Sequence, residues 1–584
     1  MILVNHLGYD AKDHKRAVYQ GEKNDCAGRF AVLNEKGEPV YSAEAHECGE
    51  VAQWKTGYYW TMDFSSLQQP GVYSLKLETA KGIQRSFPFE IQDFLLTMRT
   101  VNAASCYFKH QRCTGEWAEE DSHVGFAGPR EGVADLRGGW YDATGDVSVH
   151  LSHLSHGHVY NPQQTSLAGY AFLKAEEWLG ESENIQYSMM RRRMLDEGTF
   201  GADFLMRMRA PGGTFFRSVR RSDALEHVHG TRYINFEYRG SSDQFSEKAA
   251  TAEEEVIRDE NYEVSLRSGG GLAIATLAAA SRHYYPGTAF TRDEYLTAAR
   301  EAWHYLEKNN ARYTSNGEWN LLDEYCALLA LAELYRATEE YEYLAKAEEM
   351  ARRVMARLEP QGEGTAMFMA MPGRPFFHPS DEGMPVVALL EYAEIQPSPQ
   401  KRKEAVAAAE KAMRWQLHLR DETVNPFGYP RFLYKKAEGE VQHRFFFPHD
   451  TAVAPWWQGD NARLCSLSAA ARLLAAKTED AELADRLREF AADQLNWIFG
   501  VNPFDSCMME GYGRNHIQYF FEGRYDFINA PGGICNGITA DIADTDGIAF
   551  YTAPCEEVKD NWRWAEQWLP HVSWFILAQC AKKR

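Results

Sequence analysis

The sequence predicts a mostly α-helical protein, in which a large (α/α)6 barrel follows a small β-sandwich. Three observations lead to this prediction. The first 92 residues contain short runs of β-branched and aromatic residues separated by turn sequences. After residue 93, apolar residues recur at i, i+3, i+4 and i+7, which indicates a series of helices. Long non-helical segments interrupt these helices, and loops of such length in a compact domain usually carry function.

The β-sandwich is expected over residues 1–92. Candidate strands at 29–33, 58–62 and 72–77 are rich in β-branched and aromatic residues, and turn sequences lie at 35–39 and 69–71. This spacing suits a small antiparallel sandwich.

The helical domain is expected over residues 93–584. Twelve helices with long loops predict six helical hairpins arranged in two rings, with a site at one end. An α-solenoid is the alternative, but it requires a repeat of about 34–45 residues, and we find none. The predicted helices lie near 93–112, 163–179, 183–209, 262–284, 290–308, 322–337, 341–358, 382–395, 402–419, 461–476, 481–498 and 562–582.

Composition limits the possible partners. The chain has 584 residues, 45% of them hydrophobic and 25% charged, which excludes wholesale disorder. A formal net charge of −21 repels polyanions, so nucleic acid is not an expected partner. Aromatic residues make up 13% of the chain, a surplus that suits a site for stacking rings or sugar faces.

Cysteine usage and the apolar pattern indicate a cytoplasmic protein. None of the ten cysteines forms a C-x-x-C pair, so we expect reduced and mostly buried thiols rather than a zinc ribbon. The opening MILVNHLGYD has no basic segment followed by a long apolar one, as a signal peptide would. No run of about 18 apolar residues predicts a membrane span.

The segment DLRGGWYDATGD at 135–146 is the best candidate for chemistry. Its carboxylates Asp142 and Asp146 lie four positions apart around a Thr-Gly turn, and Trp140 and Tyr141 offer ring surface to a sugar. Gly145 permits close approach of a ligand. A turn with solvated carboxylates is the alternative, since Asp and Gly are common in turns.

The stretch GGWYDATGD resembles the D-A-G-D signature of glycoside hydrolase family 9. This resemblance implies that Asp146 is the catalytic base and that Asp142 helps to hold the nucleophilic water. Thr144 departs from the family pattern as one inserted residue. The resemblance implies no metal and no organic cofactor.

The resemblance also implies a general acid, a Glu near the C-terminus. The segment NWRWAEQWLPH at 561–571 offers Glu566, and its neighbours Trp564 and Trp568 supply an apolar setting that raises a carboxyl pKa. We expect Trp564 to contact the sugar as well. A helix-surface Glu is the alternative, and Glu556 and Glu557 are rival acids.

Two further segments resemble the same family. Gly500 begins a G-x-N-P turn, and LVNHLGY at 3–9 resembles the start of the immunoglobulin-like module that precedes many catalytic domains of the family. The first domain is therefore expected to be immunoglobulin-like.

A second group of polar and aromatic residues predicts sugar contacts. His449, Asp450, Trp457 and Asp460 are expected to face the sugar, although a tryptophan at this helix start is equally compatible with the core. Four histidines between 150 and 158 lack the ligand pattern of a zinc site, and we expect polar loop histidines there.

The family resemblance implies inversion of configuration by Asp146 and Glu566. The motifs GGWYDATGD, NPQQ and WRWAEQWLPH are most like a cytoplasmic branch that releases β-linked glucosamine from the non-reducing end of short oligosaccharides. An exo-β-D-glucosaminidase is therefore expected first. A β-glucosidase or endoglucanase on cello-oligosaccharides comes second, and a phosphorylase or a sugar-binding relative stays open.

Overall fold

The computed structural model describes residues 1–147, 152–155, 161–180, 187–221, 232–237, 256–314, 316–435, 440–449, 457–527 and 529–581. Over these residues, no helix combines the length and the apolar character that a membrane crossing needs.

The N-terminal domain consists of two β-sheets packed face to face. One sheet has the order β1-β3-β7-β6, and the other has the order β2-β10-β8-β4-β5 with β9 beside β8. Neighbouring strands are antiparallel except β2 and β10, which are parallel. The strands are β1 (Ile2–Leu3), β2 (Tyr9–Asp10), β3 (Arg16–Gly21), β4 (Arg29–Leu33), β5 (Pro39–Glu44), β6 (His46–Glu50), β7 (Tyr58–Asp63), β8 (Gly71–Thr79), β9 (Gly82–Arg85) and β10 (Phe89–Gln92).

Alternating residues of these strands fill the space between the two sheets. Val32, Trp60, Leu75 and Ile91 belong to this core and are almost fully buried. The period of two along each strand puts polar residues on the outer faces, and the predicted β-sandwich is confirmed.

The second domain contains fifteen helices in the described residues. Six form an inner ring, six an outer ring, and three are short. The inner helices are α3 (Thr165–Gly180), α6 (Gly271–Ala280), α8 (Leu321–Thr338), α10 (Met384–Ile395), α12 (Asn461–Ala475) and α15 (Leu569–Cys580). The outer helices are α1 (Leu95–Gln111), α4 (Ser188–Arg207), α7 (Arg292–Asn309), α9 (Tyr341–Ala356), α11 (Pro399–Asp421) and α13 (Ala481–Ile498). The short ones are α2 (Glu116–Glu120), α5 (Asp259–Tyr262) and α14 (Trp562–Ala565).

The inner ring closes on itself. Each inner helix packs against the next, and the last one, α15, packs against the first, α3. Every residue of α6, α12 and α15 is buried, whereas α9 and α13 bury only one stripe. Helices that are apolar all round must lie inside and amphipathic ones outside, so the sequence itself sorts the helices into two rings. The predicted (α/α)6 class is confirmed.

The helix predicted at 562–582 is two helices. Pro570 lies in the first turn of α15, where a residue without an N–H is tolerated. In the interior of a longer helix its pyrrolidine ring would clash with the preceding turn, so one continuous helix does not form. Glu566 therefore lies in extended backbone between α14 and α15. Glu566 is thus the last residue held by α14, since its N–H donates to the Trp562 carbonyl at 3.2 Å.

The long segments predicted as loops contain short strands. A five-stranded sheet has the order β12-β11-β15-β14-β13, a three-stranded sheet the order β16-β17-β18, and β19 pairs with β20. The strands are β11 (Val124–Phe126), β12 (Val133–Ala134), β13 (Ser152–His153), β14 (Ser218–Arg221), β15 (Arg232–Ile234), β16 (Leu358–Gly362), β17 (Thr365–Met371), β18 (Arg374–Pro375), β19 (Phe432–Lys435) and β20 (Val441–Arg444).

The segments before the inner helices meet at one end of the barrel. The Gln163 N–H, just before α3, donates to Asp381 Oδ2, just before α10, at 2.9 Å. Asp381 Oδ1 in turn accepts from Trp574 Nε1 in α15 at 2.8 Å. The Leu569 N–H at the start of α15 donates to the Asp142 carbonyl at 3.1 Å. This end of the barrel holds the candidate site.

Candidate active site

The loop that leads into α3 carries Asp142 and Asp146. Residues 144–146 form one 3-10 turn, and Asp146 Oδ2 accepts the Ala143 N–H at 3.1 Å. Asp142 is buried, and its Oδ2 accepts Gln164 Nε2 at 2.8 Å and Trp568 Nε1 at 3.2 Å. Asp142 is thus fixed by neighbours, while Asp146 stays partly exposed at the site.

The loop between α14 and α15 carries Glu566. The Tyr519 hydroxyl donates to Glu566 Oε1 at 3.3 Å, and the Glu566 side chain is partly exposed. Trp564 is buried and donates its indole N–H to Thr539 Oγ1 at 2.8 Å. The aromatic residue that contacts the Glu566 carboxyl is therefore Tyr519.

The two loops pair with each other as extended backbone. Ala143 and Trp568 form an antiparallel bridge, and the Thr144 N–H donates to the Gln567 carbonyl at 2.9 Å. This pairing brings Asp146 and Glu566 to one place. Gly145 lies directly against the acid, because a Cβ added there would lie 2.7 Å from Glu566 Oε1.

The environment raises the pKa of both carboxyls. Burial, and then the charge of Asp142, raise the pKa of Glu566 to about 8, against a smaller lowering by the Tyr519 hydrogen bond. Burial, and then the charges of Glu566 and Asp142, raise the pKa of Asp146 well above its usual range. The raised pKa of Glu566 keeps this carboxyl protonated near neutral pH, because neighbouring carboxylates resist ionising together. A protonated carboxyl is what the general-acid step of hydrolysis needs.

A cleft of about 700 Å3 opens beside this pair. The described residues that line it are His110, Gln111, Thr144, Gly145, Val147, Phe521, Glu522, Arg524, Asp526, Phe527, Asn529, Ala530 and Pro531. The ring of Phe527 stacks on Tyr519 with centroids 4.7 Å apart. The cleft therefore borders Gly145, which lies next to Glu566 Oε1, and its lining includes the aromatic rings of Phe521 and Phe527. Aromatic side chains with a few polar groups are a common lining of small-molecule sites.

Trp140 and Tyr141 do not face the cleft, which corrects the prediction that they contact the sugar. Trp140 is fully buried between Phe108 and Phe200, and its indole N–H donates to Glu197 Oε2 at 3.3 Å. Tyr141 is 4% exposed. Both rings anchor the base loop in the core, since the tight turn at Gly138 and Gly139 directs them inward.

His449, Trp457 and Trp564 lie together in one aromatic group. The His449 and Trp457 rings stack at 3.5 Å between centroids, and Trp457 meets Trp564 edge to face at 5.7 Å. Asp460 is buried, accepts the Tyr429 hydroxyl and faces Arg463 Nε at 3.3 Å. The structure thus gives Asp460 partners within the protein. Asp450, and the histidines at 150, 156 and 158, lie outside the described residues.

Two groups at the site have no clear signal in the sequence. Tyr519 and Asn529 lie in the long segment 500–561, where neither a period nor a spacing marks them. Gln164 is the last residue of the NPQQ motif, which the sequence analysis used only for its likeness to one branch of the family. Its amide reaches Asp142 because α3 begins at the next residue.

Comparisons with solved structures support the fold. A metagenome-derived glycoside hydrolase family 9 endoglucanase is 18% identical, with a TM-score of 0.67 over 100% of this chain and 99% of the other. A Bacteroides ovatus GH9 structure is 18% identical, with a TM-score of 0.64 over 100% and 98%. A thermostable endoglucanase from Alicyclobacillus acidocaldarius is 15% identical, with a TM-score of 0.62 over 100% and 99%.

Comparisons with family models give the assignment. The model described as cellulase N-terminal ig-like domain matches residues 1–81. The model described as glycosyl hydrolase family 9 matches residues 99–529, most of the chain. No curated protein matches the sequence. On the strength of the matched family model, the chain belongs to glycosyl hydrolase family 9.

Proposed function

We propose that this protein is an inverting O-glycosyl hydrolase in which Asp146 is the general base and Glu566 the general acid. The observation that carries the proposal is the pairing of their two loops, which sets a partly exposed carboxyl from each next to Gly145, a residue that lines the cleft. The raised pKa of Glu566, about 8, supports its role as the proton donor at neutral pH.

In the proposed mechanism, each of the two carboxyls has one task. Asp146 takes a proton from a water molecule, whose oxygen attacks the anomeric carbon from one face of the sugar. Glu566 gives its proton to the glycosidic oxygen on the other face, the carbon–oxygen bond breaks, and the leaving sugar departs as an alcohol. Room for the water requires carboxyl groups about 6.5–9.5 Å apart.

Asp142 supports the base. Its Oδ2 is held by Gln164 and Trp568, and its charge adds to the repulsion that raises the pKa of Glu566. Asp142 therefore favours the protonated acid while it helps to hold the water next to Asp146. We assign it a positioning role.

The proposed substrate is a short β-linked oligosaccharide with a glucosamine unit at its non-reducing end. The motifs around Asp146, Gln164 and Glu566 support this specificity through their likeness to the glucosaminidase branch. Three carboxyls at the site and a formal net charge of −21 favour a cationic 2-amino sugar over an anionic one.

Cello-oligosaccharides are the second candidate substrate. Similar folds include several named endoglucanases, and one of them is described in complex with a cellobiose-like isofagomine. A neutral glucose unit fits the same carboxyl pair, because the acid and the base act on the glycosidic bond and not on the C2 substituent.

One experiment separates these possibilities. The protein is incubated with chitosan disaccharide and with cellobiose in parallel, and proton NMR follows the anomer of the released sugar. We expect release of α-glucosamine from the first, faster than glucose from the second. A β-anomer as first product would refute inversion. Faster cleavage of cellobiose would show that cello-oligosaccharides are the preferred substrate. Product formation that depends on added phosphate would identify a phosphorylase.

A further inference from the structure

Thr144 is the inserted residue that separates D-A-T-G-D from the D-A-G-D pattern, and its side chain has a specific set of partners. It is 4% exposed. Its hydroxyl accepts the Gln567 N–H at 3.0 Å and donates to Asn529 Oδ1 at 3.3 Å. Together with the Thr144 N–H bond to the Gln567 carbonyl, these contacts tie the base loop to the acid loop at one residue.

The partners of Thr144 are themselves fixed. Asn529 Nδ2 donates to the Ala565 carbonyl at 2.9 Å, so the threonine hydroxyl reaches the residues on both sides of Glu566. The fully buried Gln567 amide exchanges hydrogen bonds with the Ala530 backbone at 2.8 and 2.9 Å. The acid is thus flanked by two residues that this network holds in place.

The base depends on the same contact. Thr144 begins the 3-10 turn that ends at Asp146, and the carboxylate of Asp146 accepts a hydrogen bond from the Ala143 N–H within that turn. A shift of Thr144 moves the whole turn, and with it Gly145, which lies against Glu566. The distance between base and acid is therefore set where Thr144 meets Gln567.

We propose that the Thr144 hydroxyl is a positioning group that fixes the spacing of Asp146 and Glu566. The proposal rests on the proposed function, since it gives these two residues their roles. Thr144 does not touch the reacting atoms, because its hydroxyl is turned to Gln567 and Asn529. A misplacement of about 1 Å between reacting groups costs roughly 10²-fold in rate, so a clamp at this point acts on turnover rather than on binding.

The test compares Thr144→Val, which keeps the shape and loses the hydroxyl, with Thr144→Ser, which keeps it. We expect Thr144→Val to lower kcat about 10- to 100-fold with KM within about threefold, and to move the pH limits of kcat. Thr144→Ser should restore both. A Thr144→Val enzyme with unchanged kcat and pH profile would overturn the proposal, as would a Thr144→Ser enzyme as impaired as Thr144→Val.

A matched control separates positioning from folding. Thr276, on α6, is also fully buried, and its hydroxyl donates to the Ser166 carbonyl of a neighbouring inner helix at 2.8 Å. Thr276→Val loses a comparable buried hydroxyl away from both loops, so we expect a lower Tm with unchanged kcat and pH profile. If the two variants lose kcat in proportion to their Tm, the Thr144 hydroxyl is structural only.

A second readout does not depend on the substrate. Among the described residues, the titratable groups that interact with Glu566 include Asp142, Asp146, Tyr107 and Tyr519. Tm is measured against pH with Glu566 present and with Glu566→Gln, and the difference between the two curves reports the titration of Glu566. The midpoint of this difference should shift in the Thr144→Val protein and should not shift in the Thr144→Ser protein. An unshifted titration refutes the proposal, whereas a wild-type protein inactive on both sugars refutes only the proposed function.

Discussion

Two groups of residues lie near the carboxyl pair, a catalytic wall and an aromatic wall that meet where Trp457 contacts Trp564, and different interactions hold each of them together. The catalytic wall, residues 142–146 and 564–569, is joined by backbone pairing and by the Thr144 hydroxyl. The aromatic wall, residues 427–429, 445–449 and 457–460, is joined by ring contacts such as Tyr429 with Phe446 at 5.1 Å. Hydrogen bonds require a narrow range of distance and angle, whereas ring contacts form over centroid distances of about 4.5–7 Å, so positions are fixed more closely in the first wall than in the second.

The two walls also differ in where their support comes from. The catalytic wall belongs to the barrel, where its two loops lead into the first and last inner helices, which pack on each other. The aromatic wall is supported by the β-sandwich, whose buried Trp54 packs on Phe445 at 5.0 Å and on Phe427 at 6.1 Å. Trp54 also meets the edge of Tyr429, which holds Asp460. Damage to the sandwich should thus reach one wall and spare the other.

The largest expected effect is loss of either catalytic carboxyl. Asp146→Asn and Glu566→Gln should each lower kcat by at least about 10²-fold, the usual contribution of an acid or a base. Glu557→Gln is the matched control, since Glu557 is an exposed glutamate nine positions from the acid. Steady-state rates on the chitosan disaccharide give the comparison. Near-normal turnover in either variant would remove that residue from the mechanism.

A methyl group at Gly145 should have the next largest effect on the catalytic wall. Its Cβ would lie 2.7 Å from Glu566 Oε1 and 2.9 Å from the Tyr519 hydroxyl, so the acid must move. We expect Gly145→Ala to lower kcat roughly 10- to 100-fold by misplacing the acid. Gly28→Ala, where the nearest atom is 3.9 Å away, should leave kcat unchanged. Equal rates for the two variants would show that Glu566 tolerates displacement.

Loss of Trp54 tests whether the aromatic wall depends on the sandwich. Trp54→Ala removes a buried ring that contacts five aromatic neighbours, and we expect a destabilisation of about 3–5 kcal/mol. KM should rise more than kcat falls, because the catalytic wall has its own support. Trp54→Phe keeps a ring and should lie closer to wild type. A fall in kcat with unchanged KM would contradict the division between the walls.

The smallest expected effect is that Glu566→Gln becomes more stable relative to wild type as the pH rises. The pKa of Glu566 is raised to about 8 by folding, so the folded protein binds this proton more tightly than the unfolded chain does. Wild-type stability should therefore fall as pH rises from about 4.3, the ordinary glutamate pKa, to about 8. Glu566→Gln lacks this loss, and its Tm relative to wild type should rise over that range and then level off. A constant difference in Tm would show that the Glu566 pKa is ordinary.

The sequence predicts the chemistry of the catalytic wall better than its geometry. Asp142, Asp146 and Glu566 occur in short motifs, and the structure brings all three together. Their assigned roles remain predictions. The Thr144 contact was not predicted, because its partner Gln567 lies 423 positions away and no local pattern reports a pairing of that range.

The positions of the aromatic residues are predicted less well than those of the carboxyls. The tryptophans at 140 and 457 both occur beside acidic residues in glycine-containing segments, yet the first is a core residue and the second belongs to the aromatic wall. An aromatic residue is expected either in the protein core or in a group of stacked rings, because a large ring is stable in both. The sequence does not tell which of these two environments it occupies. The contribution of Trp54 likewise depends on how the two domains dock, which no period within either domain encodes.

Closure of the inner ring has a consequence for synthesis of the chain. The base loop leaves the ribosome early, whereas Gln567, its clamp partner, is added 423 positions later. At about 5–20 residues per second this interval is roughly 20–80 s. Throughout that time the nascent chain has a base without an acid and an inner ring without α15. If Glu566 is the general acid, as proposed, a chain truncated before α15 should show no turnover, so activity should require synthesis through this last inner helix.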